Sequence, residues 1–163
     1  NQLHNQGSYD NLKNQLKIIL DDKKDWDIFI TGHSLGGALS TLSSFLLAKE
    51  FPQYNFYIFS FASPKVGNEE FKNCYNSLIN IKHYRICYHR DLITSTPTFG
   101  YYHVGDNLWY DKYEEKWTYY DKNKPMNYYT YYFCNPWDHS CINYLNAIEN
   151  TCKKDIKKIK YVI

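Results

Sequence analysis

The chain changes character twice between residues 26 and 49, and that junction constrains its fold more than any other segment. Trp26-Asp27-Ile28-Phe29-Ile30-Thr31 is short, β-branched and aromatic, which predicts a strand. It runs straight into Gly32-His33-Ser34-Leu35-Gly36-Gly37. Ala38 to Lys49 then reads as a helix, apolar on most sides and so expected to pack on a sheet. A Gly-x-Ser-x-Gly stretch alone is weak, but between a strand and a helix it predicts a sharp turn with the serine in strained dihedrals. Glycines two residues before and after the serine are then expected because the turn presses strand against helix. Ser34 Oγ would stand at a helix N-terminus above the carboxyl edge of the sheet, with the Leu35 N–H aimed where an oxyanion forms. A structural serine in a tight turn would leave Gly32, Gly36 and Gly37 without a joint explanation.

The flanking segments supply the sheet. Tyr9, Leu12, Leu16, Ile19 and Leu20 recur at helical spacing before the charged turn Asp21-Asp22-Lys23-Lys24, predicting an amphipathic helix with one buried stripe. Asn55 to Ala62 is nearly continuous in apolar residues, as a strand covered on both faces is. Glu69 to Leu78 predicts a helix, and Lys82 to Tyr88 a third strand leading into a loop at His89-Arg90-Asp91. Strand, helix, strand, helix, strand implies right-handed crossovers and a mostly parallel sheet flanked by helices, an α/β architecture. Tyr101 to Tyr120 alternates aromatic and polar residues around Gly105-Asp106-Asn107 and reads as a hairpin or meander. Asp138 to Ile148 predicts the last substantial helix. The tail from Lys153 to Lys160 carries five lysines, with Ile156, Ile159 and Val162 at helical spacing. It reads as a solvated surface helix, or as one lying on an anionic membrane surface.

At 163 residues the chain has room for one domain with a core and not for two. A net charge of +2 is too small to argue for nucleic acid as a partner. No apolar run reaches the roughly 18 residues of a membrane-spanning helix. The chain opens on Asn1 rather than Met, which reads as a processed or truncated start. Its 18 tyrosines are enriched together with Lys, Asn, Ile and Phe, a set that a compositional drift explains as well as selection does. Five cysteines show no close Cys-x-x-Cys pair. A zinc held by Cys134, His139 and Cys141 is the weakest reading of them. A Cys134–Cys141 disulfide, which would imply an oxidising compartment, stands against five reduced thiols.

A nucleophilic serine needs a base, and the base an orienting acid; in folds built on this turn the order along the chain is Ser, Asp, His. Asp91 follows the third strand directly and suits the acid, with a turn aspartate or an ion-pair partner of Arg90 as the plainer reading. Downstream of it stand His103 and His139. His103 falls in the aromatic meander and reads as packed, whereas His139 lies in a loop before a helix and is favoured as the base. His33 is expected to face away from the nucleophile as a packed histidine, and His4, His83 and His89 receive no role.

Thr31-Gly32-His33-Ser34-Leu35-Gly36-Gly37-Ala38-Leu39 resembles the nucleophile motif of the class 3 lipases. Phe61-Ala62-Ser63-Pro64-Lys65-Val66-Gly67-Asn68 resembles the family's Pro-Arg/Lys-Val-Gly segment. Arg90-Asp91-Leu92-Ile93, with Pro97 and Gly100-Tyr101-Tyr102-His103-Val104-Gly105, is similar to its catalytic-Asp loop and the strand after it. Asp138-His139 is similar to the pair that carries its catalytic histidine, and His4 and Gly7 match more loosely a motif before the elbow strand. The resemblance implies an α/β-hydrolase fold, a Ser34–Asp91–His139 triad, no metal or organic cofactor, and a carboxylic-ester or lipid substrate, triacylglycerol foremost, met at a lipid–water interface. It also implies a preceding portion of the domain with further strands, a lid and a second oxyanion donor, expected as a separate chain or segment. A secreted or lysosome-like location is expected. The competing reading is a catalytically idle lipase-like domain serving a larger assembly as a structural or binding subunit.

Overall fold

The computed structural model describes residues 2–124, 134–153 and 160–162. Helix α1 (Gln2–Leu20) leads into β1 (Ile28–His33), α2 (Leu35–Glu50), β2 (Phe56–Phe61), α3 (Glu69–Asn76) and β3 (Ile81–Tyr88). After them come β4 (Asp106–Asp111), β5 (Lys116–Tyr120), α4 (Cys141–Lys153) and β6 (Lys160–Val162). The sheet is ordered β1-β2-β3-β4-β5-β6. Strands β1 to β4 run parallel, β4 and β5 form an antiparallel hairpin, and β6 lies parallel to β5. This is the mostly parallel, helix-flanked sheet that the strand–helix alternation predicts. Among the described residues β1 has a neighbour on one side only.

Helix α2 is held to the sheet differently from its apolar sequence. The buried face consists of Gly37, Ala38, Ser40, Thr41, Ser44, Leu47 and Ala48, while Leu35, Leu39, Leu42 and Leu46 are 40–69% exposed. Small residues let the helix axis approach the strands, and the hydroxyls of Ser40, Thr41 and Ser44 are satisfied by carbonyls three or four residues back. Leu20, Leu47, Phe51, Tyr54, Phe56 and Ile58 make one core under α1 and α2. Ala62, Ile86, Tyr110, Trp117, Tyr144 and Ala147 make a second beneath α4. On α1, Tyr9, Leu16 and Leu20 face the first core, but Leu12 and Ile19 of the expected stripe are largely exposed.

One expectation needs correction, and another falls mostly outside the described residues. The β4–β5 hairpin does not turn at Gly105-Asp106-Asn107, which opens β4; it turns after Asp111, whose Oδ1 accepts the Tyr113 and Glu114 N–H groups. Gly105 is needed instead for its φ of +71° and because a Cβ there would lie 2.6 Å from the His83 carbonyl oxygen. The expected tail helix from Lys153 to Lys160 falls mostly on residues 154–159, outside the described residues. Its last residue begins β6. Among the described residues no helix is long and apolar enough to cross a membrane.

Candidate active site

Ser34 separates β1 from α2 with φ 56° and ψ −122°, a left-handed backbone that costs a non-glycine residue about 1–3 kcal/mol. The turn is pinned by hydrogen bonds from the Ser34 N–H to the Phe61 carbonyl (2.9 Å) and from the Gly37 N–H to the Ser34 carbonyl (3.0 Å). The glycines contribute unequally. A Cβ on Gly32 would lie 2.3 Å from the Gly36 backbone, and one on Gly37 would lie 2.8 Å from Ser63 Cβ. One on Gly36 would meet nothing within 4 Å, so crowding explains Gly32 and Gly37 but not Gly36. Leu35 is the first residue of α2, so its N–H is among those a helix leaves without an intrahelical acceptor.

Ser34 Oγ lies 2.9 Å from His139 Nε2. His139 Nδ1 lies 3.0 Å and 3.1 Å from the two oxygens of Asp91. The three side chains come from loops after β1 and β3 and from the 3-10 turn Pro136–His139 that precedes α4. The Asp91 side chain is fully buried, whereas that of His139 is 26% exposed. Burial of that carboxylate is tolerable because it is saturated with donors. Its Oδ1 accepts the Ile93 N–H (2.9 Å) and its Oδ2 accepts the Tyr144 hydroxyl (2.6 Å). Burial holds the Tyr144 phenol well above its ordinary pKa, with the negative charge of Asp91 adding to the effect, so the hydroxyl stays a donor. Tyr144 in turn accepts the Tyr88 N–H at 3.0 Å.

The residue before the histidine is anchored as firmly. Asp138, also buried, accepts Lys112 Nζ at 2.8 Å, Asn135 Nδ2 at 3.3 Å and the Arg90 N–H at 3.3 Å. This clasps the His139 turn to the β4–β5 hairpin and to the Asp91 loop. His33 does not turn away as expected. Its ring centroid stands 4.9 Å from that of His139, Tyr144 packs edge-on against it, and its buried Nε2 has no hydrogen-bond partner among the described residues. Burial, then the nearby His139, lower its pKa, which favours the neutral ring. His103 donates from Nε2 to the Thr94 carbonyl at 2.6 Å, and Thr94 belongs to the Asp91 loop.

Sequence reasoning missed Tyr144 and the His33–His139 contact, which depend on where α4 lands. The cysteines are all thiols, so no Cys134–Cys141 bridge brackets the His139 turn. Cys134 Sγ lies instead 3.5 Å from Ser95 Oγ, and Cys141 is exposed at the start of α4. Among the described residues no three His, Cys, Asp or Glu side chains are gathered as metal ligands. Electrostatically the arrangement is a hydroxyl facing an imidazole whose far nitrogen rests on a buried carboxylate, which is what proton removal from a serine needs.

The family model described as Lipase (class 3) matches residues 3–101. A secreted mono- and diacylglycerol lipase 1 of Fusarium solani is 36% identical over 85 residues, which are 50% of this chain and 24% of that protein. Phospholipase A1-II 1 of Oryza sativa subsp. indica is 33% identical over 104 residues, 60% of this chain and 26% of its own. The solved triacylglyceride lipase of Rhizomucor miehei superposes with a TM-score of 0.69 at 25% identity, covering 82% of this chain and 55% of that one. The chain thus spans about a quarter of the length of these curated relatives and about half of the solved one.

Proposed function

The chain belongs to the class 3 lipase family, and from that premise we propose that it hydrolyses carboxylic esters of acylglycerols, triacylglycerol foremost, with Ser34 as nucleophile, His139 as base and Asp91 as its orienting acid. The reading is carried by one observation, the 2.9 Å approach of Ser34 Oγ to an imidazole that Asp91 holds from behind. Ser34 Oγ attacks the ester carbonyl while its proton passes to His139 Nε2. The Leu35 N–H donates to the oxyanion. Collapse of the tetrahedral species expels the alcohol, which takes the proton back from His139. Water, deprotonated by the same nitrogen, then releases the fatty acid and restores the Ser34 hydroxyl. The buried Asp91 fixes the tautomer with the proton on Nδ1 and stabilises the imidazolium. A second oxyanion donor and a lid belong to this reading as contributions of the lipase portion that this chain does not span, and the lipid substrate is met at a lipid–water interface. Secretion is proposed on the likeness to a secreted relative.

A fluorophosphonate probe tests the assignment directly. It should label Ser34, and Ser34→Ala should abolish labelling with the fold kept. Asp91→Asn should leave the geometry but lower turnover about 10⁴-fold, as loss of the orienting carboxylate does elsewhere. A folded preparation, supplied with the remaining lipase portion, that takes up no label at Ser34 overturns the reading. The second reading, an idle lipase-like subunit of a larger assembly, is supported by β1, which among the described residues is paired on one side only, and by the exposed leucines of α2. It requires stable incorporation into a complex without labelling.

A further inference from the structure

Residues His83, Arg85 and Cys87 alternate onto one face of β3, the face on which the Tyr75 hydroxyl of α3 meets His83 Nδ1 at 3.0 Å. On that face, outside the Ser34–His139 site, lies a cavity of about 100 Å³, several times what one water needs. Its cationic wall is made by Arg85, Lys72, Arg90, Lys122 and Lys124. Two acids share it, Asp91 and Asp121. The Asp91 oxygens are committed to His139, Tyr144 and Ile93, and Asp121 Oδ1 accepts the Asn123 N–H.

Arg85 carries the argument. A guanidinium has five N–H donors and always bears its charge. Here Nε donates to the Val104 carbonyl at 3.1 Å, and among the described residues Nη1 approaches only the Cys87 sulfur, a weak acceptor, at 3.8 Å. No carboxylate among the described residues pairs with it, and its cross-strand register partner is the neutral amide of Asn107. A half-buried cation without an anion is costly, and a fork of this shape matches two oxygens of a carboxylate or phosphate. His89, 92% buried, lines the same cavity; among the described residues neither ring nitrogen has a hydrogen-bond partner, and Nδ1 faces the Asp111 carboxylate at 3.7 Å. Lys72 and Lys122 are steadied without being neutralised, the first over the Tyr102 ring and the second on the Asn76 carbonyl.

We propose that this cavity binds a small oxyanion, of phosphate or carboxylate type, held by the Arg85 guanidinium within the lysine-rich wall. Ser34 and His139 do not line it, whereas Asp91 does, so the test reads anion binding itself rather than ester hydrolysis.

Inorganic phosphate and acetate are each titrated into the full chain at constant ionic strength, with chloride as reference, while binding heat and the thermal midpoint are followed. A saturable heat and a rising midpoint are expected with at least one of them and not with chloride. Phosphate alone assigns the phosphate type, acetate alone the carboxylate type, and both the shared oxyanion chemistry. Arg85→Gln should weaken binding about tenfold or more, the usual scale for a charge-assisted hydrogen bond. Asn107→Asp is the second variant, because it places a carboxylate opposite Arg85 in the strand register and should abolish the response without removing the guanidinium. A chain that shows no saturable response to either anion, or a response undiminished in both variants, overturns the proposal.

Discussion

Ser34, Ala62 and His89 hold positive φ at the carboxyl ends of three successive parallel strands, β1, β2 and β3. Backbone strain is thus concentrated along the sheet edge where the Ser34 hydroxyl and the Asp91 loop stand, as expected where side chains are held in place for chemistry. The surrounding packing must over-determine these residues, and the glycines show how. Gly36→Ala should be neutral or stabilise by up to about 1 kcal/mol, since it adds a helix former where a Cβ meets nothing. Gly32→Ala and Gly37→Ala should each cost about 1–3 kcal/mol or more by forcing β1 and α2, or α2 and Ser63, apart. Urea unfolding midpoints of the three variants check this, and equal losses at all three positions would contradict it. The motif letters carry the serine and its context but not this asymmetry, because Gly36 and Gly37 look alike until the helix direction is known. For the same reason Ser34, Asp91 and His139 could be named from chain order, whereas Tyr144, 53 residues from Asp91, could not.

Helices and strands are tied together beneath this edge by a buried polar chain. Tyr75 of α3 links Ser44 of α2 (2.9 Å) to His83 Nδ1 of β3 (3.0 Å), and His83 Nε2 reaches Ser60 of β2 at 2.8 Å. Burial, with the positive charge of Arg85 behind it, lowers the His83 pKa to about 3. In the unfolded chain it returns to about 6.5. Between those values the unfolded state binds a proton that the folded state refuses, so stability rises with pH across that window and is lost as pH falls from about 6.5 toward 3. One such group contributes up to about 1.4 kcal/mol per pH unit, and His103, whose desolvation lowers its pKa in the same direction, adds to it. Urea unfolding at pH 5 and pH 7 should therefore differ, and His83→Gln should flatten the difference. An unchanged slope in the variant would remove His83 as the cause. None of this network is legible in the sequence, where His83 stands between Lys82 and Arg85 as one of three polar residues of β3 with nothing to mark it as buried. The hairpin is half legible: its alternation marks two strands, but Gly105 reads as a turn residue when its need is the close approach of the His83 backbone. The apolar α2 misleads in the opposite sense, because its small residues and Leu47 meet the sheet while Leu35, Leu39, Leu42 and Leu46 face outward.

Across the whole molecule the two faces of that fact meet at β1. The strand pairs with β2 through alternate residues, and the Ile28 N–H donates to the Asn55 carbonyl (2.8 Å) as the Ser34 N–H does to Phe61 (2.9 Å). In a parallel ladder the intervening amides of Phe29, Thr31 and His33 then point away from β2, toward the side where no described strand lies. Beside that edge, Phe29 is 67% exposed, and Leu35, Leu39, Leu42 and Leu46 stand outward at helical spacing. An unpaired edge next to an apolar stripe is a liability in water, and the curated relatives are about four times as long as the segment they share with this chain. If additional strands of a lipase domain complete the sheet there, amide hydrogen exchange should report it residue by residue. In the 163-residue chain Phe29, Thr31 and His33 should exchange fast while Ile28, Ile30 and Gly32 are protected. With the remaining lipase portion present, attached or added, the first three should slow to match, and the α2 leucines should lose access to an apolar dye. Protection of Phe29, Thr31 and His33 that does not change between the two states would mean that the sheet is completed elsewhere, and the second oxyanion donor would have to reach Ser34 from another side.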